Sequence, residues 1–104
     1  MSETRTYGLL KQDLEAIISI LKKNPKIDQV ILFGSRAKGN NRKGSDIDLA
    51  IKGENLVLDD ILEAKIRIDK LSLPYKFDIV IYERIKDHKL IDHVNRMGVS
   101  LFQK

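Results

Sequence analysis

Hydrophobic and polar positions alternate between two periods along this chain. In residues 10–23 the apolar side chains fall at Leu10, Leu14, Ile17, Ile18 and Leu21, the spacing of one helical face. Lys22 and Lys23 suit a helix C-terminus, and Asn24-Pro25 stops it. Val30, Ile31, Leu32 and Phe33 form a continuous apolar run closed by Gly34, which predicts a buried strand. Ser35 to Lys38 can begin a short helix, and residues 39–44 (GNNRKG) read as a polar loop. Residues 46–51 (DIDLAI) alternate strictly, with Ile47, Leu49 and Ile51 on one face and Asp46, Asp48 and Ala50 on the other. A turn over 53–55 leads to a second amphipathic helix over about 58–71, with Ile61, Ala64, Ile68 and Leu71 on its stripe. Asp59 and Asp60 lie near its start, where acids favour the helix dipole. Residues 77–82 (FDIVIY) predict a third strand with Asp78, Val80 and Tyr82 on one side. The last helix spans about 86–97, with Leu90, Ile91, Val94 and Met97 aligned and Gly98 as its C-terminal cap. Residues 99–102 read as a short edge strand.

Strands separated by helices predict an α/β (α+β) fold, a small mixed β-sheet with helices packed on it. The pattern leaves strand directions open. The length, 104 residues, suits a single domain over 1–104. A charged fraction of 33% would be compatible with disorder, but the 42% of apolar residues are grouped into periodic runs, so a packed core is expected.

The chain has no cysteine, which excludes disulfides, a thiolate nucleophile and cysteine-ligated metal. The N-terminus is too polar for a signal peptide and no apolar run reaches membrane-spanning length, so a cytoplasmic protein without a membrane partner is expected. The net charge of +4 suits a polyanionic ligand, or simply a lysine-rich solvated surface. Its placement is more informative. Arg36, Lys38, Arg42 and Lys43 crowd together with no acid among them, between the two strongest motifs. No recognition-helix motif is present and aromatics are few, so direct DNA binding is not expected.

The first motif is Gly34-Ser35 directly after an apolar strand. Glycine lets backbone approach a phosphate, the Ser35 hydroxyl can donate to it, and Arg36 and Lys38 add charge nearby. An ordinary turn fits the same residues. The second is Asp46-x-Asp48, two carboxylates sharing one face of a strand with Cα atoms about 6.5–7 Å apart. Hard oxygen ligands so placed suit Mg²⁺, and a solvent-facing sheet surface is the alternative. The third is Asp78, flanked by apolar neighbours on its own strand. Should that strand lie beside the first, three carboxylates would converge, and such a cluster could not stay ionised without cations.

The stretch GSRAKGNNRKGSDID, which is Gly34-Ser35, ten residues, then Asp46-x-Asp48, resembles the signature of the DNA polymerase β-like nucleotidyltransferase superfamily. It resembles more narrowly the minimal nucleotidyltransferase antitoxins of the HEPN/MNT toxin–antitoxin pairs, and Phe77-Asp78-Ile79 matches the third acidic position. The resemblance runs over nearly the whole chain. It implies a polymerase β-like palm fold and a magnesium-dependent transfer of AMP from ATP to a hydroxyl, with a tyrosine of a partner HEPN toxin as acceptor. Gly34 and Ser35 would hold the triphosphate. Asp46 and Asp48 would bind Mg²⁺, and Asp78 would help bind metal and activate the acceptor.

Arg36, Lys43 and Ser45 are further candidates at the nucleotide, with Arg42 or Lys43 able to stabilise the leaving group; for Ser45 a local hydrogen bond in the turn is the alternative. His88 and His93 are five apart, not the four of a helical ligand pair, and are expected at the surface. Tyr7, Tyr75 and Tyr82 are expected to pack, Tyr82 on the Asp78 side. Nothing follows Lys104, so a partner chain or a second copy, in a homo- or hetero-oligomer, is expected to complete the site. Two other functions fit these residues: a nucleotidyltransferase acting on a small molecule or an RNA end, and a non-catalytic antitoxin that neutralises its partner by binding.

Overall fold

The computed structural model describes residues 5–39 and 46–104. The chain opens with a hairpin that periodicity did not announce, β1 (Arg5–Thr6) against β2 (Leu9–Leu10). Both turn residues, Tyr7 (φ 57°) and Gly8 (φ 77°), are left-handed, as a tight two-residue hairpin turn requires. The elements that follow are α1 (Lys11–Lys22), β3 (Gln29–Phe33), a single turn α2 (Ser35–Lys38), β4 (Ile47–Lys52), α3 (Leu58–Asp69), β5 (Phe77–Ile81), a 3₁₀ turn (Tyr82–Arg84), α4 (His88–Met97) and β6 (Val99–Gln103).

Four strands form one mixed sheet in the order β5-β4-β3-β6. β3 runs antiparallel to both β4 and β6, while β4 and β5 are parallel and joined through the α3 crossover. The crossover decides where the carboxylates go. In its register Asp48 pairs with Asp78, and across the antiparallel ladder Phe33 pairs with Asp48.

Side-chain alternation gives the sheet two different faces. One is packed by α1 and α3 and carries Val30, Leu32, Ile47, Leu49, Ile51, Ile79 and Ile81, all buried. Each side chain of this kind contributes about 1.5–3 kcal/mol by leaving water. The other face carries Ile31, Phe33, Ala50 and Val80 and is covered by α4 through Val94 and Leu90. Asp48 and Asp78 alternate onto this second face.

An unforeseen polar latch ties α3 to the loop after α1. Asp60 is buried, not a solvated dipole partner. Its carboxylate accepts from the Val57 backbone N–H (2.8 Å), from Lys26 Nζ (2.8 Å) and from Asn24 Nδ2 (2.9 Å). The Lys26 hydrogen bond, followed by that from Val57, holds its carboxyl down to about 2.

Three expected details differ. Tyr82 leaves the strand and begins the 3₁₀ turn, its hydroxyl donating to Asn95 Oδ1 (2.8 Å). Gly98 ends α4 without a left-handed cap, at φ −64°. It is glycine for space, since a Cβ there would lie 2.2 Å from the Val94 carbonyl oxygen. The face of α4 is also turned from its expected stripe, so that Met97 is 43% exposed while His93 is half-buried. Among the described residues no helix is long and apolar enough to cross a membrane.

Candidate active site

The site lies where β3 ends and β4 and β5 begin. At that end of the sheet the buried apolar strand β3 delivers Phe33, and the chain must then turn sharply. Gly34 makes the turn with φ 81°, a value unfavourable for any side chain. A second constraint is stronger. A Cβ at Gly34 would stand 2.2 Å from Asp48 Oδ2, so only a residue without one lets the turn and the carboxylate occupy neighbouring space. Ser35 follows, half-buried, as the first residue of α2.

Asp48 is held on β4 between buried Ile47 and Leu49, half-buried and beside Asp78 in the parallel register. Burial pushes its carboxyl above the ordinary 3.8, and the charges of Asp78 and Asp46 push it further in the same direction. A positive charge on His93 would pull it back, and the charge of Arg36 does so. Asp46 is exposed and stands one residue before β4 begins, not within the strand. Asp78 is exposed on the edge strand β5. The three carboxylates thus occupy one end of the sheet and sense one another. Among the described residues, however, no three acids or imidazoles close on a common point as a ready cation-holding cluster. Mutual repulsion is a sufficient reason for like charges to stand apart there. The donor chemistry fits a hard divalent cation: hard carboxylate oxygens, and an Asp48 whose ionisation the fold alone opposes.

Arg36, expected at the nucleotide, lies directly beneath the turn. It is 3% exposed, donates from Nη1 to the Tyr7 carbonyl (2.9 Å) and lies over the Tyr75 ring. Its placement braces the turn against the N-terminal hairpin, and its charge reaches Asp48 through the protein. Arg42, Lys43 and Ser45 lie outside the described residues.

The departure is His93. Far from being a surface residue, it reaches from α4 to the turn, and its Nε2 accepts from the Gly34 backbone N–H at 2.8 Å. Its ring stands edge-on to Phe33 with centroids 6.1 Å apart. His88 is exposed, as expected. The signal for His93 was faint: a histidine flanking the Leu90/Val94 stripe, with nothing in the sequence to say which strand end that flank would meet.

Comparison with known proteins agrees with this fold. The family model described as polymerase beta, nucleotidyltransferase, matches residues 15–104. A relative from Methanocaldococcus jannaschii, MJ0141, which carries the provisional name protein adenylyltransferase, is 34% identical over 99 residues, covering 89% of this chain and 95% of its own. Among solved structures, a toxin–antitoxin crystal structure with AMP-PNP superposes with a TM-score of 0.73 at 27% identity, over 88% of this chain and 73% of that one. A protein described as a minimal nucleotidyltransferase, also provisionally, superposes with a TM-score of 0.67 at 26% identity, over 94% of this chain and 98% of that one. The match extends from the first helix through the Gly-Ser turn, the paired aspartates, the third carboxylate and the last strand, and this chain belongs to the polymerase beta nucleotidyltransferase family.

Proposed function

We propose that this chain transfers AMP from ATP to a tyrosine hydroxyl of a partner HEPN toxin in the cytoplasm, acting as an antitoxin by adenylylation. The observation that carries the reading is the pairing of Asp48 with Asp78 on adjacent parallel strands, beside a Gly34 turn that has no room for a Cβ. The relatives add support, one being named for protein adenylylation and another being part of a toxin–antitoxin complex crystallised with an ATP analogue.

In this reading the triphosphate lies against Gly34 and Ser35, with the Ser35 hydroxyl donating to a phosphate oxygen. Asp46, Asp48 and Asp78 are the residues to hold Mg²⁺. When bound, magnesium neutralises phosphate charge and lowers the pKa of an oxygen it touches. The acceptor oxygen forms a bond to the α-phosphorus, the bond from that phosphorus to the bridging oxygen breaks, and pyrophosphate leaves. Asp78, exposed on the edge strand, receives the hydroxyl proton. The protein contributes mainly orientation and charge placement. Lys43 and Ser45 are retained as candidates at the leaving phosphates.

The test is label transfer from α-³²P-ATP in the presence of Mg²⁺, with the protein encoded beside this chain as acceptor. The expected result is label on an acceptor tyrosine, absent with Asp46→Asn/Asp48→Asn. Tight complex formation in both versions without label would leave an antitoxin that works by binding. Label on RNA ends or a small molecule, and none on protein, would move the acceptor while keeping the chemistry.

A further inference from the structure

Resting on the nucleotidyltransferase reading above, we infer that His93 is a positioning residue for the nucleotide: a neutral imidazole on α4 that pins the Gly34–Ser35 turn at its working distance from Asp48. The turn is held from two sides. On one, the absent Cβ of Gly34 leaves just the space that the Asp48 carboxylate occupies, with Oδ2 2.2 Å from where a Cβ would be. On the other, the Gly34 N–H donates to His93 Nε2 at 2.8 Å. Nε2 can accept only while it carries no proton, so the ring proton sits on Nδ1. The imidazole is itself steadied by its edge-on packing against Phe33, the residue that precedes Gly34 and pairs with Asp48 across the ladder.

Glycine is the residue least able to hold its own backbone, because it moves freely between left- and right-handed conformations. A glycine that must present the neighbouring Ser35 to a phosphate therefore needs an external restraint. The turn that follows restrains the Gly34 carbonyl, which accepts from the Lys38 N–H at 3.2 Å, but the Gly34 N–H is held from elsewhere. The bond comes from a residue 59 positions away, on a helix that otherwise covers the sheet through Leu90 and Val94. It also commits the Gly34 N–H to the protein, so that this N–H serves to set the turn and does not itself contact phosphate. α4 has a second polar tie, from the Tyr82 hydroxyl to Asn95 Oδ1 at 2.8 Å, which ends on the 3₁₀ turn and not on the Gly34 turn. That tie provides the control.

The experiment compares the full chain with His93→Leu, His93→Gln and Tyr82→Phe in three readouts: KM for ATP and kcat in label transfer, affinity for AMP-PNP by calorimetry, and exchange protection of the Gly34 amide by NMR. Gln carries an acceptor oxygen at a reach close to that of Nε2. The expected result is that His93→Leu raises KM for ATP and weakens AMP-PNP binding about tenfold, the scale of one lost partly buried hydrogen bond, with a smaller change in kcat. Gly34 protection falls in the same variant. His93→Gln restores protection and brings KM to within about threefold of the parent, and Tyr82→Phe leaves KM unchanged.

The inference is overturned if His93→Leu keeps both KM and Gly34 protection. It is equally overturned if kcat falls with KM unchanged, the sign of a merely destabilised protein, or if Tyr82→Phe raises KM as much. A parent protein that neither binds AMP-PNP nor transfers label would instead sink the nucleotidyltransferase reading. In that case Gly34 protection still reports whether His93 holds the turn, and its positioning role would fall with the activity.

Discussion

The two faces of the sheet are made from the same strands and differ in nearly everything else. On the α1/α3 face, Val30, Leu32, Leu49 and Ile51 are fully removed from solvent, and every inward position is apolar. On the α4 face the alternate positions of β4 run Asp48, Ala50, Lys52, and a single helix covers only part of them. The first face stabilises the fold and the second accepts a cost in stability to hold charge. That cost is visible at Asp48, whose ionisation is opposed by burial first and by Asp78 and Asp46 after it. A strand with period two lets one segment serve both faces, since each residue given to function is flanked by two given to the core.

The comparison is tested most severely by Asp48→Asn. Activity should fall by about a thousandfold or more in a label-transfer assay, the scale on which key electrostatic groups act. If an active variant remained, the charged face would not be the working one. On the opposite face, Leu49→Ala should leave the site chemistry intact and cost about 3 kcal/mol in denaturant unfolding, through lost burial and a cavity. A loss confined to activity would contradict the division.

These two neighbours also show how far the sequence could be read. The alternation over DIDLAI assigned Leu49 to the core and Asp48 to the open face without any structure. Gly34-Ser35 was legible as the end of a continuous apolar run, and Asp78 as a carboxylate alternating on its own strand. What the pattern could not supply was anything that depends on how elements meet. The parallel pairing of β5 with β4 follows from the crossover, and no local period encodes it. His93 was misplaced because a helical wheel gives a face and not the object that face touches. The charge of Arg36 was visible in the sequence, but the Tyr7 carbonyl and Tyr75 ring it meets come from distant segments. The hairpin escaped because its strands are only two residues long, too short for a period to appear.

A smaller effect is expected from the latch that closes the apolar face. Asp60→Ala removes three hydrogen bonds and leaves Lys26 without its carboxylate, and should cost about 2 kcal/mol at neutral pH. The folded carboxyl is depressed to about 2 from an ordinary 3.8. Its contribution is therefore fully present above about 3.8 and is lost as pH falls through about 2. The difference in stability between parent and Asp60→Ala should shrink over that window, and a difference independent of pH would show that packing alone matters at this position.

The smallest effect sharpens the contrast most. Asp48 is raised, so its ionised form weakens the fold at neutral pH, and stability from this group falls as pH rises above 3.8 toward the raised value. Asp48→Asn should thus unfold no earlier than the parent in the absence of divalent cation. Millimolar Mg²⁺ should raise the melting temperature of the parent and leave the variant nearly unmoved, by mass action on the folded state. Equal shifts in both would place the cation elsewhere.

The parallel pairing of β4 and β5 also sets an order in time. Asp48 and Asp78 stand side by side only after the whole crossover, with α3 inside it, has closed onto the sheet. Such long-range pairing is entropically expensive and comes late in folding, after local contacts have formed. The antiparallel pairing of β3 with β4 can bring together Val30 and Ile51, or Leu32 and Leu49, without involving Asp78 at all. Nucleation can therefore proceed on apolar contacts alone. The chain meets the repulsion between Asp48 and Asp78 only when enough core exists to withstand it, so that this pairing need not slow the route by which the site is made.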